Sequence, residues 1–299
     1  MGDAGRRGAA DPPAELLRAL AALAEPPGAA QARIGDVLGL PGTPDPAEYT
    51  NLFAFQLYPY ASVYCGAEGM LGGEARDRVA GFWRALGRIP PPEPDHLSAL
   101  LALYAALADQ EAEEPDRARA LLRRQSRKAL LWEHLASWLF PYLDALERIA
   151  SPFYRRWAAL LREALAVAAG ALGPPDGMPL HLRAAPGLPD PRAHGAAAFL
   201  HGLLAPVRSG IILVRADLAR AAREMGLGLR IGERRFVLES LLAQDPGWTL
   251  AWLAREAGSW VVRHRAHEAA TGPVAGFWAG RAEAASRLLG ELASCAPAV

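Results

Sequence analysis

A chain of 299 residues, 52% of them hydrophobic, has room for one large or two modest domains and enough apolar content for a substantial core. Its formal net charge is zero, which excludes a global field drawing it to nucleic acid or to an anionic membrane. Cys65 and Cys295 stand far apart and outside any CxxC pattern, so neither a disulfide framework nor a zinc site is implied and a reducing compartment fits.

Ala, Leu and Arg dominate, Lys128 is the sole lysine and β-branched residues are sparse, so the expected fold class is all-α. Residues 1–12 read as a tail. Arg6-Arg7 do not make a twin-arginine export signal, because Asp11-Pro12-Pro13 follows where an apolar run is required. No apolar run reaches the roughly 18 residues of a membrane span, and a soluble protein is expected. Leu16, Leu17, Leu20 and Leu23 predict a first helix closed by Pro26-Pro27-Gly28; a second runs from about Ala29 to Leu40. The aromatics of Tyr58-Pro59-Tyr60-Ala61-Ser62-Val63-Tyr64 do not all face one helical side, so they build a core corner or line an apolar groove. Glu68 to Gly73 is a flexible turn without the Gly-Lys-Ser/Thr ending of a phosphate loop. Val79, Phe82, Trp83 and Leu86 then mark a short helix.

After Pro90-Pro91-Pro92 comes Glu93-Pro94-Asp95-His96-Leu97. Pro94 bars continuation of a helix from upstream, and Asp95 is a preferred N-cap. Leu97, Leu100, Leu101, Tyr104 and Leu107 fall on one helical face. The stiff loop would hold Glu93, Asp95 and His96 beside a helix N-terminus, as a capped helix start or as a binding site. Farther on, Glu111, Glu113, Glu114 and Asp116 precede Arg119, Arg123, Arg124, Arg127 and Lys128, the charge order that complements a helix dipole on a solvated face. Leu122, Ala129, Trp132, Ala136 and Phe140 predict the buried stripe of that helix, with His134 and Trp138 one turn apart on another face. Ser151-Pro152 opens a further helix that ends at Gly173-Pro174.

Several of these segments carry a resemblance. Glu93-Pro94-Asp95-His96-Leu97, Tyr49 to Phe53, Pro59 to Tyr64, His134-Leu135-Ala136-Ser137-Trp138 and Phe153-Tyr154 resemble, in order, motifs of the TorD/DmsD/NarJ-type chaperones that mature molybdenum-dependent redox enzymes. The resemblance runs from about Tyr49 to Trp157. It implies a TorD-like helical bundle and a non-enzymatic cytoplasmic chaperone. Its implied partner is the catalytic subunit of a molybdopterin oxidoreductase, or that subunit's signal peptide. It also favours the groove reading of the aromatics. The implied peptide-binding residues are Asp95 and His96, then Tyr60, Tyr64 and Trp138 as groove walls. Glu93, Asp95 and Glu68 are carboxylates suited to paired guanidinium groups.

The proline-rich stretch from Pro174 to Ala198 reads as a linker or wrapping arm, giving a chaperone domain at 13–173, a linker at 174–198 and a helical extension at 199–295. Between 208 and 235 there are seven arginines against three acids, and Ala222, Gly226 and Ile231 approximate a helix-turn-helix spacing. DNA binding through Arg230, Arg234 and Arg235 is therefore the alternative function, distinguished by whether these three form one exposed basic face. His264 and His267 read as surface histidines near a helix C-terminus. Trp248, Trp252, Trp260 and Trp278 are costly to leave in water, so the extension is expected to pack on the first region. No nucleophile–base pair, ligand set or cofactor fingerprint stands out, and no catalytic, metal or cofactor site is expected.

Overall fold

The computed structural model describes residues 11–296; Arg6-Arg7 and most of the N-terminal tail lie outside them. Of the described residues 72% are helical, and among them there is no strand, only an isolated antiparallel bridge between Tyr60 and His96. No helix among them is long and apolar enough to cross a membrane.

The helix Ala14–Ala22 lies antiparallel to Leu97–Ala112, tied by Arg18 to Asp109 at one end and by Glu25 to Ser98 at the other. Trp157, buried on the helix Pro152–Leu172, donates its indole N–H to the Leu20 carbonyl at 3.0 Å and locks a third helix onto the pair. Asp116 starts the helix Arg117–Ala129 by accepting the Arg119 N–H at 2.8 Å, so the acidic run bridges two helices rather than opening one long one. Arg127 corrects the solvated-face reading. It is buried, pairs with Asp11 and Glu111 at 2.8 Å each, and lies over the Tyr104 ring.

Two segments, Thr50–Gln56 and Leu130–Leu135, are π-helical, closing with bonds from Leu57 N to Leu52 O and from Ala136 N to Leu131 O. The extra residue per turn shifts helical phase. A stripe drawn straight from Leu122 to Phe140 therefore does not hold. Leu122 is 67% exposed, whereas Trp132, Ala136 and Phe140 are buried.

The Pro/Gly-rich stretch includes two short helices, Leu180–Ala184 and Pro191–His194. It follows the surface, held by Lys128–Asp176 at 2.6 Å and by Leu180 N on Glu133 at 3.1 Å. Beyond it, Pro246–Ala266 and Pro273–Cys295 pack along their lengths as a helical hairpin. That hairpin is joined to the first region through polar anchors set in apolar contact. Trp278 donates to the Ser137 carbonyl at 2.9 Å, Arg148 reaches Asp217 and Glu256 at 2.7 and 2.8 Å, and His267 donates to Asp144 at 2.7 Å. His264 is buried and donates Nε2–H to the Gly210 carbonyl at 2.8 Å. Neither histidine is a surface residue, because the hairpin covers both against the helix Leu139–Ile149 and the 206–210 turn. Gly210 is required there: its φ is 75°, and a Cβ would fall 2.2 Å from the Ala282 nitrogen. Trp252, Trp260 and Trp278 are buried, but Trp248 is 58% exposed. It occupies the first turn of its helix, where the partner helix has ended at Cys295.

Candidate functional site

The Glu93–Leu97 segment docks against Pro59–Ser62, so two motifs distant in sequence form one corner. Leu97 N donates to the Pro59 carbonyl at 2.8 Å and Ala61 N to the Asp95 carbonyl at 3.0 Å. Trp83 and Arg76, on the helix Gly73–Ala85, donate to the Pro94 and Pro92 carbonyls at 3.3 and 3.0 Å and fix the loop from behind.

Asp95 does not cap the helix that follows it; His96 holds the N-cap position. Asp95 is 2% exposed, and its Oδ2 accepts the Ser62 N–H at 3.1 Å, inside the first turn of the helix Ala61–Cys65. The dipeptide thus serves two helix starts, and the Asp95 carboxylate faces inward.

His96 is buried edge-on against the Tyr60 ring, with centroids 4.8 Å apart. The Ser98 hydroxyl lies 2.7 Å from His96 Nδ1 and bridges it to the Glu25 carboxylate. Burial lowers the His96 pKa from its ordinary value, against the opposing fields of Glu25, Glu93 and Asp95, so the ring is neutral at pH 7. On the other side, Tyr60 donates its hydroxyl to Glu93 Oε2 at 2.8 Å, and burial together with this bond raises the phenol pKa. Glu25 and Glu93 are both exposed, and neither meets an arginine or lysine among the described residues. The corner is an anionic surface of two carboxylates on either side of a phenol and a neutral imidazole, with the geometry and charge to accept guanidinium groups.

Glu25 escaped the sequence reading. It lies just past the first helix, and only the antiparallel packing of that helix on Leu97–Ala112 brings it to Ser98. Tyr64 and Trp138, expected as groove walls, are buried and stack face to face with centroids 5.1 Å apart and planes within 7°. Tyr64 donates to the Tyr58 carbonyl and Trp138 to the His134 carbonyl, so both polar ends are satisfied within the core. They support the corner from beneath and present no surface to a ligand. Glu68 is exposed but belongs to a different cleft, where it pairs with His201 at 2.7 Å. Arg230, Arg234 and Arg235 do not form one basic face: Arg230 lies over Phe236, Arg234 turns inward to the Leu213 carbonyl, and Arg235 pairs with Glu239. Among the described residues, no group of three or more His, Cys, Asp or Glu side chains is placed to hold a metal ion.

Residues 45–143 match the family model described as nitrate reductase delta subunit. This stretch, about a third of the chain, is similar to the NarJ/TorD-type chaperones. It contains Tyr60, Glu93, Asp95 and His96 and leaves out Glu25, Phe153-Tyr154 and the whole extension. No curated protein matches the chain. The match supports a role in molybdoenzyme maturation.

Proposed function

We propose that this protein is a non-catalytic cytoplasmic chaperone that holds the arginine-bearing N-terminal segment, or signal peptide, of a molybdopterin oxidoreductase catalytic subunit until cofactor is loaded. The observation that carries the reading is the pair Glu25 and Glu93, exposed beside His96 with no arginine or lysine partner among the described residues. Paired guanidiniums meet such carboxylates through charge-assisted, bidentate bonds, and a neutral His96 adds no opposing charge. Asp95 and His96 act by setting the loop, and the stiff corner limits the entropy lost when a peptide docks. The unpaired Cys65 and Cys295 fit a reducing cytoplasm.

Calorimetric titration of the client's N-terminal peptide tests this. Glu25→Gln and Glu93→Gln should each weaken binding about tenfold, the loss of one charge-assisted bond, and the double variant more. The melting temperature should stay level, since both side chains are exposed. Undiminished affinity in the double variant would remove the acidic corner from the binding surface.

A further inference from the structure

A cleft of about 680 Å³ opens where the extension meets the NarJ/TorD-type stretch. Phe55, Tyr58 and Met70 line it from the family-type side, and Leu204, Arg215 and Ile231 to Arg235 from the extension. Phe55 is 55% exposed, Met70 63% and Ile231 91%, so large apolar side chains are gathered around one concavity. The site is incomplete without the extension. The approach is close: Gly69 has φ +62°, and a Cβ there would lie 2.8 Å from the Ala205 Cα.

Two arginines of this cleft lack a carboxylate partner among the described residues. Arg234 donates to the Leu213 carbonyl at 2.8 Å, yet it meets no carboxylate among the described residues, and burial lowers its pKa. Elsewhere, Arg127, Arg148 and Arg162 each contact two carboxylates and Arg220 three. Arg215, on the same wall, also lacks a carboxylate partner among the described residues. The helix Arg234–Gln244 begins at this wall, and its N-cap residue Glu233 makes no side-chain cap, so its first-turn N–H groups add to the positive field. The lining also carries two acids: Glu68, whose carboxylate lies 2.7 Å from the His201 ring, and Glu233, exposed at the start of that helix.

We propose that this cleft seats an acidic, apolar peptide segment, as a second contact separate from the acidic corner. It rests on the chaperone reading only in assigning that segment to the client. The dehydrated, carboxylate-free Arg234 calls for an anion, and the surrounding Phe55, Met70 and Ile231 call for apolar side chains beside it, which a free inorganic anion lacks. A client gripped at an arginine-rich segment by one site and at an acidic segment by the other would have its orientation fixed as well as its affinity raised.

The test uses the full chain and a fluorescein-labelled Leu-Glu-Glu-Leu-Phe peptide, followed by anisotropy, with Leu-Lys-Lys-Leu-Phe as its counterpart. Arg234→Gln retains a donor for the Leu213 carbonyl, and Ile231→Asp alters a side chain that already stands in water, so both variants should fold. The glutamate peptide should bind, the lysine peptide should not, and each variant should weaken binding about tenfold or more, with further weakening as salt rises. Glu93→Gln should leave this binding unchanged. Equal binding of the two peptides, or a glutamate peptide indifferent to both variants, would overturn the proposal. Titrating the client's N-terminal peptide in parallel keeps the two readings apart. Should that peptide fail while the glutamate peptide behaves as stated, the acidic corner falls and the cleft stands.

Discussion

Asp95 accepts the backbone N–H of Ser62 at 3.1 Å, so a carboxylate within one motif caps the helix begun by another. Asn offers the same acceptor geometry and caps about as well as Asp. Asp95→Asn should therefore cost little in stability. Asp95→Ala leaves a buried N–H unpaired and should cost roughly 1–3 kcal/mol. Urea denaturation compares the two. Because the carboxylate faces inward, Asp95→Asn should also leave the affinity for an arginine-bearing peptide within about twofold, whereas Glu93→Gln lowers it about tenfold.

The histidines set a pH dependence. Burial holds His134 and His264 down to about 4 and His181 to about 3; His96 is lowered by the same cause. In each case the folded pKa lies below the unfolded value near 6.5. Protons taken up between pH 6.5 and the folded pKa bind the unfolded chain more than the native one, so stability is complete above pH 7 and falls as pH drops. At pH 5 each of the three strongly shifted histidines should remove up to about 2 kcal/mol. Thermal melts from pH 7.5 to 5 should show a continuous fall in Tm. His264→Asn should flatten that slope, whereas a Tm level across the range would mean that these rings titrate freely.

Helix positions were legible because apolar residues recur near every 3.6 positions and proline or glycine closes each run, as at Pro26-Pro27-Gly28 and at Gly173. The π-helical turns were not, since one inserted residue leaves no composition mark while rotating every later side chain. That is why Leu122 and Phe140 do not share one buried stripe. Glu93, Asp95 and His96 could be singled out from a proline-stiffened helix start, but not the direction of Asp95. Its partner Ser62 is chosen by tertiary docking of the Pro59–Ser62 segment. Glu25 carried no signal at all, because its position beside Ser98 follows from the pairing of two helices.

Arg127 supports a prediction about the first region. Its guanidinium is buried, bonds to Asp11 and Glu111, and lies over Tyr104. Replacing it with Met keeps the volume but leaves Asp11 without a cation and Glu111 held by Arg124 alone, at 3.3 Å. The expected loss is about 3–5 kcal/mol, the cost of breaking a buried pair from one side. That corresponds to a Tm decrease on the order of 10 °C. Adding Glu111→Gln should recover part of the loss, because it removes a negative charge beside the unpaired Asp11. A double variant less stable than Arg127→Met would show that Glu111 acts through other partners.

The last prediction concerns the junction of the extension with the first region. Trp278 donates to the Ser137 carbonyl, Arg148 spans to Asp217 and Glu256 and lies over Trp260, and His267 donates to Asp144. These bonds surround buried aromatic surface, and a fully buried side chain of this size contributes a few kcal/mol. The 174–198 stretch is anchored by buried His181 and Leu182 and by Arg281 on the Ala185 carbonyl, but its Asp176-Gly177 turn and residues 183–184 and 186–187 are exposed. Proteolysis there should nick the chain without releasing either part, so the fragments should elute together on a sizing column and separate only in denaturant. Arg148→Met should weaken the association by stranding Asp217 and Glu256, although Arg220 still reaches both. The nicked variant should then dissociate at a lower urea concentration than the nicked parent. Separation of the parent fragments in plain buffer would show that the two regions fold and stand independently, and the cleft between them would then lose its fixed walls.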